Sequence, residues 1–119
     1  MRIMKLNVAD KEKKNPPLRI GVADSFFTRF CGLMGRRSLD PLDGLLLIPC
    51  NSVHMCFMRF AIDVVYLDKE YQVLKVVSHL QPWWGLSWCP GAWAALEMEA
   101  GKAGAYNLSR GHQLMQQSC

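Results

Sequence analysis

Two acids sit in apolar surroundings, Asp63 within Phe60-Ala-Ile-Asp-Val-Val-Tyr66 and Glu97 within Ala92-Trp-Ala-Ala-Leu-Glu-Met98. Two carboxylates whose environments separate their pKa values can act as general acid and general base. Arg29 or Arg36 could then stabilise charge on an anionic or sugar-like substrate, as in a hydrolase or transferase. The same residues admit a structural reading. A carboxylate taken out of water needs cations or N–H groups facing it, and Arg29, Arg36 or Arg59 could be the partner of Asp63. Spacing along the chain does not place Asp63 relative to Glu97.

Other reactive types are less complete. His54 and Cys56 would share a face if they lay on one strand, with Cys50 four residues earlier, and thiolate with imidazole suits Zn²⁺. No second ligand pair follows at a recognisable spacing, so no metal or other cofactor is expected. A nucleophilic Cys56 or Cys89 with His54 or His79 as base lacks any surrounding signature, and a buried cysteine more often serves as a small apolar residue. Gly32 and Gly35 close a helical pattern, whereas phosphate binding needs glycines that open one. The segment Gln81-Pro-Trp-Trp-Gly-Leu-Ser-Trp-Cys-Pro90 is richer. Trp83, Trp84 and Trp88 either fold back as a lid over a small core or form a binding surface, since tryptophan dominates interaction hot spots.

These residues need elements to position them. Leu18, Ile20 and Val22 alternate with Arg19 and Gly21, the period of a half-buried strand. Asp24 or Ser25 can cap a helix whose Phe26, Phe27, Phe30, Leu33 and Met34 form one stripe, stopped by a left-handed Gly35 and followed by Arg36 and Arg37. After the turn Asp40-Pro-Leu-Asp-Gly44, the run Leu45-Leu-Leu-Ile48 is apolar on both faces, as in a central strand. Val53–Met58, Ile62–Leu67 and Gln72–Leu80 read as further strands in an antiparallel meander, the last two joined as a hairpin across Asp68-Lys-Glu-Tyr71. Pro82 to Gly91 reads as a loop. Ala92–Glu99 reads as a strand with Leu96 and Met98 opposite Glu97 and Glu99, followed by a helical turn near Lys102–Tyr106 and a strand over His112–Met115. The fold class is α+β, a curved, partly closed, mainly antiparallel sheet of about six to seven strands with one main helix near residues 25–34.

The 119 residues suit one domain able to bury roughly two-thirds of its unfolded surface. Residues 1–17 read as an arm with a short strand and a charged linker ending at Pro16-Pro17, and residues 18–119 as the domain proper. Much of the net charge of +4 lies in that arm, without a ladder of aromatics among Lys and Arg, which argues against a nucleic-acid partner. No apolar run approaches the roughly 20 residues of a membrane helix, and no leader pattern is present, so no membrane insertion is expected. The five cysteines include no Cys-x-x-Cys pair. They read as reduced thiols in a cytoplasmic monomer.

Several ordered blocks resemble the UPF0127 (DUF192) family: Arg29 with Gly32-Leu33-Met34 and Arg36; Gly44-Leu45-Leu46; Phe57-Met58 with Ile62-Asp63 and Asp68; Pro82-Trp83; and Leu96-Glu97 with Gly101. Ala61 replaces the family's usual proline, and His112 its usual aspartate. The resemblance implies no established chemistry. The leading expectation is therefore a small binding or accessory protein for an unidentified small molecule or protein. Its groove would be lined by Arg29, Met34, Arg36, Phe57, Met58, Arg59, Asp63, Trp83, Trp84, Trp88 and Glu97. The alternative is the carboxylate enzyme built on Asp63 and Glu97.

Overall fold

Residues that alternate apolar and polar become strands here, and the fully apolar runs become the strands covered on both faces. The computed structural model describes residues 2–8, 16–25, 33 and 35–117. Strands β1 (Arg2–Val8), β2 (Leu18–Ala23), β3 (Gly44–Leu47), β5 (Ile62–Leu67), β6 (Val73–Leu80), β8 (Ala94–Glu99) and β9 (Leu114–Gln116) form one curled sheet in the order β6-β5-β8-β3-β2-β1-β9. A separate ribbon pairs β4 (Ser52–His54) with β7 (Leu86–Trp88). One short helix, α1 (Lys102–Ala105), follows β8. No described helix is long and apolar enough to cross a membrane.

The all-apolar segment at Leu45 does form the middle strand of the seven. β5 and β6 pair antiparallel across Asp68–Tyr71, as the hairpin reading expects. A simple meander does not form. β5 also pairs with β8, β8 with β3, and β2 with β3 in parallel, because both faces of β3 and β5 must be covered and central positions achieve that. The segment read as a loop, Pro82 to Gly91, contains β7, while the strand expected over Val53–Met58 ends at His54. The short strand expected within the first residues forms as β1. β1 is hydrogen-bonded to β2 and β9, and it buries Leu6 and Val8, so the sheet begins ahead of Leu18. The helix expected near 25–34 falls almost entirely outside the described residues, although Gly35 holds the left-handed φ of 77°.

Curling lets the two edges meet. Gln72 bridges to Gln113, the Val73 N–H donates to the His112 carbonyl (2.8 Å) and the Leu114 N–H to the Tyr71 carbonyl (3.0 Å). Inside this half-barrel pack Leu6, Leu18, Ile20, Leu46, Val65, Leu96, Met98 and Leu114. The opposite face carries a second core, with Leu39, Leu45, Leu47, Ile62, Val64 and Tyr66 beneath Val53 and Met55 of the ribbon side. Gly44 is required where three elements meet, since a Cβ there would lie 2.9 Å from the Glu97 carbonyl oxygen.

At the α1 end, Asp43 ties the turn before β3 to the helix. It accepts from the Arg19 N–H (2.8 Å) and from Lys102 Nζ (3.0 Å). Burial raises its pKa, but those donors outweigh burial and leave it below the ordinary carboxylate value. Its contribution to stability is therefore present above that ordinary value and lost as pH falls through the lowered one.

Candidate functional site

Asp63 and Glu97 lie on adjacent strands but not together. In the β5–β8 register Asp63 is opposite Met98 and Val64 is opposite Glu97. Directly opposed residues share a face and neighbours alternate, so the two carboxylates project to opposite sides of the sheet. The general acid and base couple considered from sequence is thus not formed.

Asp63 is fully buried on the inner face, and its partners among the described residues are backbone N–H groups. Oδ1 accepts from His79 N (2.9 Å), and Oδ2 from Gly101 N and Ala103 N (both 3.0 Å). His79 sits at φ 54° where the β5–β6 register slips between Ile62 and Val64. Such a bulge frees an N–H from the ladder. Gly101 is the N-cap of α1 and has no side chain to cap with, so Asp63 supplies the missing acceptor from a strand. This acid is a structural clamp.

Glu97 is 5% exposed, between Val64 and Leu45 on the other face. Burial pushes its pKa up to about 7. On the same face the Tyr66 hydroxyl pairs with Ser87 Oγ (3.1 Å) in a buried contact. Burial is the main cause of Tyr66's raised pKa, with Ser87 lowering it and Cys50, Cys89 and Glu97 adding to the rise.

The aromatic residues behave differently. Phe57, Trp83, Trp84, Leu86 and Trp88 are 54–90% exposed, with Trp84 the most exposed. Phe57 and Trp83 meet edge to face, with centroids 5.2 Å apart. Both hold left-handed backbones, φ 63° and 70°, which bulky residues rarely adopt. Hydrogen bonds keep them there: Gly35 N–H donates to the Phe57 carbonyl (2.9 Å), and Trp83 N–H to the Met55 carbonyl (2.7 Å). In the β4–β7 ribbon Val53 and Ser87 turn inward, leaving His54, Leu86, Ser52 and Trp88 on the outer side. The tryptophans thus present a surface and do not close a core.

Gly85 sets the turn that carries them, because a Cβ there would fall 2.6 Å from the Gln81 carbonyl oxygen and 2.7 Å from Met55 Cγ. Gly85→Ala is expected to cost about 2 kcal/mol by overpacking, seen as an earlier midpoint in urea unfolding. An unchanged midpoint would show that the turn relaxes freely.

Of the residues expected at a groove, the structure brings Phe57 to Trp83 and joins them through Gly35 to the chain leading into Arg36. The half-buried Arg36 donates through Nη2 to the Asp40 carbonyl (3.3 Å), and Arg59 is exposed. Met58 is buried in the core, as are Asp63 and Glu97, so none of these three offers a broad contact surface. Arg29 and Met34 lie outside the described residues. Cys56 is in a turn beyond β4, so the strand spacing that would align it with His54 ends too early. Among the described residues no three metal-ligating side chains gather. Leu86 is the surface residue that sequence reasoning passed over. Its alternation with Ser87 inside Leu86-Ser-Trp88 was the available signal.

Comparison with known proteins places these features in a lineage. The family model DUF192, described as "Uncharacterized ACR", matches residues 7–116. A UPF0127 protein of Pyrococcus furiosus is 40% identical over 75 residues, covering 59% of this chain and 64% of the relative. One from Pyrococcus horikoshii is 36% identical over 67 residues, covering 54% and 57%. The chain thus spans less than two-thirds of the length of these relatives. Two crystal structures share the fold. A candidate transcription regulator from Sinorhizobium meliloti has a TM-score of 0.86 at 17% identity, covering 97% of this chain and 94% of that one. A protein of unknown function from Novosphingobium aromaticivorans has a TM-score of 0.82 at 18% identity, covering 95% and 84%.

Proposed function

The chain belongs to the DUF192 family, and from that footing we propose that it is a binding module that docks a protein partner on the aromatic surface of its β4–β7 ribbon. The observation that carries this reading is the outward set of Phe57, Trp83, Trp84, Leu86 and Trp88 on a backbone held by hydrogen bonds. Aromatic anchors with few rotamers that are fixed before binding lose little entropy when a partner arrives. Leu86 and Phe57 beside the indoles favour an apolar peptide or protein segment. A sugar platform would need more polar groups around its rings. In this reading the chain works as a cytoplasmic monomer, a setting that suits the free thiols of Cys56 and Cys89.

Peptide selection from a random library, with counter-selection on the double variant Trp84→Ser/Trp88→Ser, tests it. Both indoles are mainly exposed, so the variant should melt within a few degrees of wild type. The selected peptides are expected to bind wild type and to lose at least about tenfold in affinity on the variant, a difference of about 1.4 kcal/mol. Peptides that bind both proteins equally, or no enrichment over the counter-selected protein, would remove the assignment.

A further inference from the structure

Among the described residues, a cavity lies at the end of the half-barrel opposite α1. β1 begins there, β2 and β3 end there, and the β5–β6 turn reaches it, whereas Asp43, Asp63 and α1 occupy the other end. The cavity has a volume of about 500 Å³. Met4, Val22, Ile48, Tyr71 and Trp93 line it, and all but the buried Val22 are half-buried against the inner core. Tyr71 and Trp93 meet edge to face, with centroids 5.8 Å apart and planes at 84°. Tyr71 holds φ 64°, fixed by its N–H to the Asp68 carbonyl (3.0 Å) and by its carbonyl accepting from Leu114 N–H (3.0 Å). The closure of the barrel and the aim of this ring are therefore one feature.

Charge at the mouth is uneven. Among the described residues Arg2, Lys5 and Asp24 contribute to its lining, two cations against one anion, with Gln116 and Gln117 beside them. Arg2 Nη2 lies 3.3 Å from Asp24 Oδ2, but both side chains are more than half exposed. A pair so exposed is held weakly and leaves the guanidinium available to another anion. Closely packed interiors leave few voids larger than a water molecule, and small-ligand pockets fall in the range of roughly 300–1,000 Å³, often in barrel mouths.

We propose that this mouth binds a small ligand with a flat apolar body and one anionic group, an aromatic carboxylate in chemical class. The body lies between Met4, Ile48 and the Tyr71–Trp93 pair, and the carboxylate faces Arg2. None of Phe57, Trp83, Trp84, Leu86 or Trp88 lines this cavity, so the site is independent of the ribbon surface.

Calorimetric titration with 1-naphthoate and with uncharged 1-naphthylmethanol tests the proposal. Wild type is expected to prefer the carboxylate by about tenfold, a margin typical of a charge-assisted contact. Met4→Trp, which fills the cavity from β1, should weaken naphthoate binding at least about tenfold. Arg2→Glu, an exposed change that leaves the core intact, should erase the preference for the carboxylate, and it keeps the test decisive if Met4→Trp does not fold. Trp84→Ser/Trp88→Ser should bind naphthoate as wild type does. The proposal is overturned if wild type shows no binding up to the solubility limit, if Arg2→Glu keeps the full preference, if a folded Met4→Trp binds unchanged, or if the ribbon variant loses binding.

Discussion

Asp63→Ala is expected to destabilise the protein by roughly 3 kcal/mol or more, the largest single effect among the polar residues. The carboxylate accepts from His79 N, Gly101 N and Ala103 N, all within 3.0 Å, and the site is closed to water. Alanine strands three N–H groups at once, one in the β6 bulge and two at the start of α1. At roughly 4 °C per kcal/mol for a domain of this size, Tm should fall by at least about 10 °C. Asp63→Asn separates charge from shape. Its amide offers one acceptor oxygen and turns an NH₂ toward N–H donors, so it should recover only part of the loss. Amide hydrogen exchange should show faster exchange at Gly101 and Ala103 in both variants. An alanine variant as stable as wild type would mean that water replaces the carboxylate and that the clamp contributes nothing net.

Glu97 gives the second large effect, with the opposite sign of pH dependence to the usual carboxylate. Burial holds its folded-state pKa near 7, against an ordinary value of 4.5 in the unfolded chain. The folded protein therefore binds more protons than the unfolded one between those values, and stability falls as pH rises from about 4.5 through 7, levelling off above. The full penalty above pH 7 is on the order of 3 kcal/mol. Glu97→Gln keeps the shape without the charge, so it should match wild type near pH 4.5 and exceed it by that order at pH 8. Urea unfolding of the two proteins at both pH values checks this, since other titrating groups cancel in the difference. A stability gap independent of pH would show that Glu97 stays ionised in the folded state, with a donor facing it.

Much of the scaffold was legible because strand signals are local. Leu45-Leu-Leu-Ile48 has no polar face to show water, and it became the middle strand. Asp68-Lys-Glu-Tyr71 separates two apolar runs, and it became a hairpin. The family was legible in the same way, from short blocks in a fixed order. β7 was hidden because Pro82, Pro90 and three tryptophans within ten residues break both regular periods, while only pairing with β4 reveals Leu86–Trp88 as a strand.

The burial of Asp63 could be read from the apolar run that it interrupts, but its partners could not. A backbone N–H has no side-chain signature, and His79, Gly101 and Ala103 lie 16, 38 and 40 residues away. The separation of Asp63 from Glu97 was likewise decided in three dimensions. Register places Asp63 against Met98, and because side chains alternate along a strand, a slip of one residue would have put both acids on one face. The aromatic surface was present in composition as a choice between lid and platform. Tertiary packing left Trp83, Trp84 and Trp88 mainly exposed while turning Val53 and Ser87 inward, and the mouth of the half-barrel arose only when curvature brought Gln72 to Gln113. Local pattern thus determined most of the strands and the burial of Asp63. Register and curvature decided which groups face each other, because they depend on contacts between residues far apart in the chain.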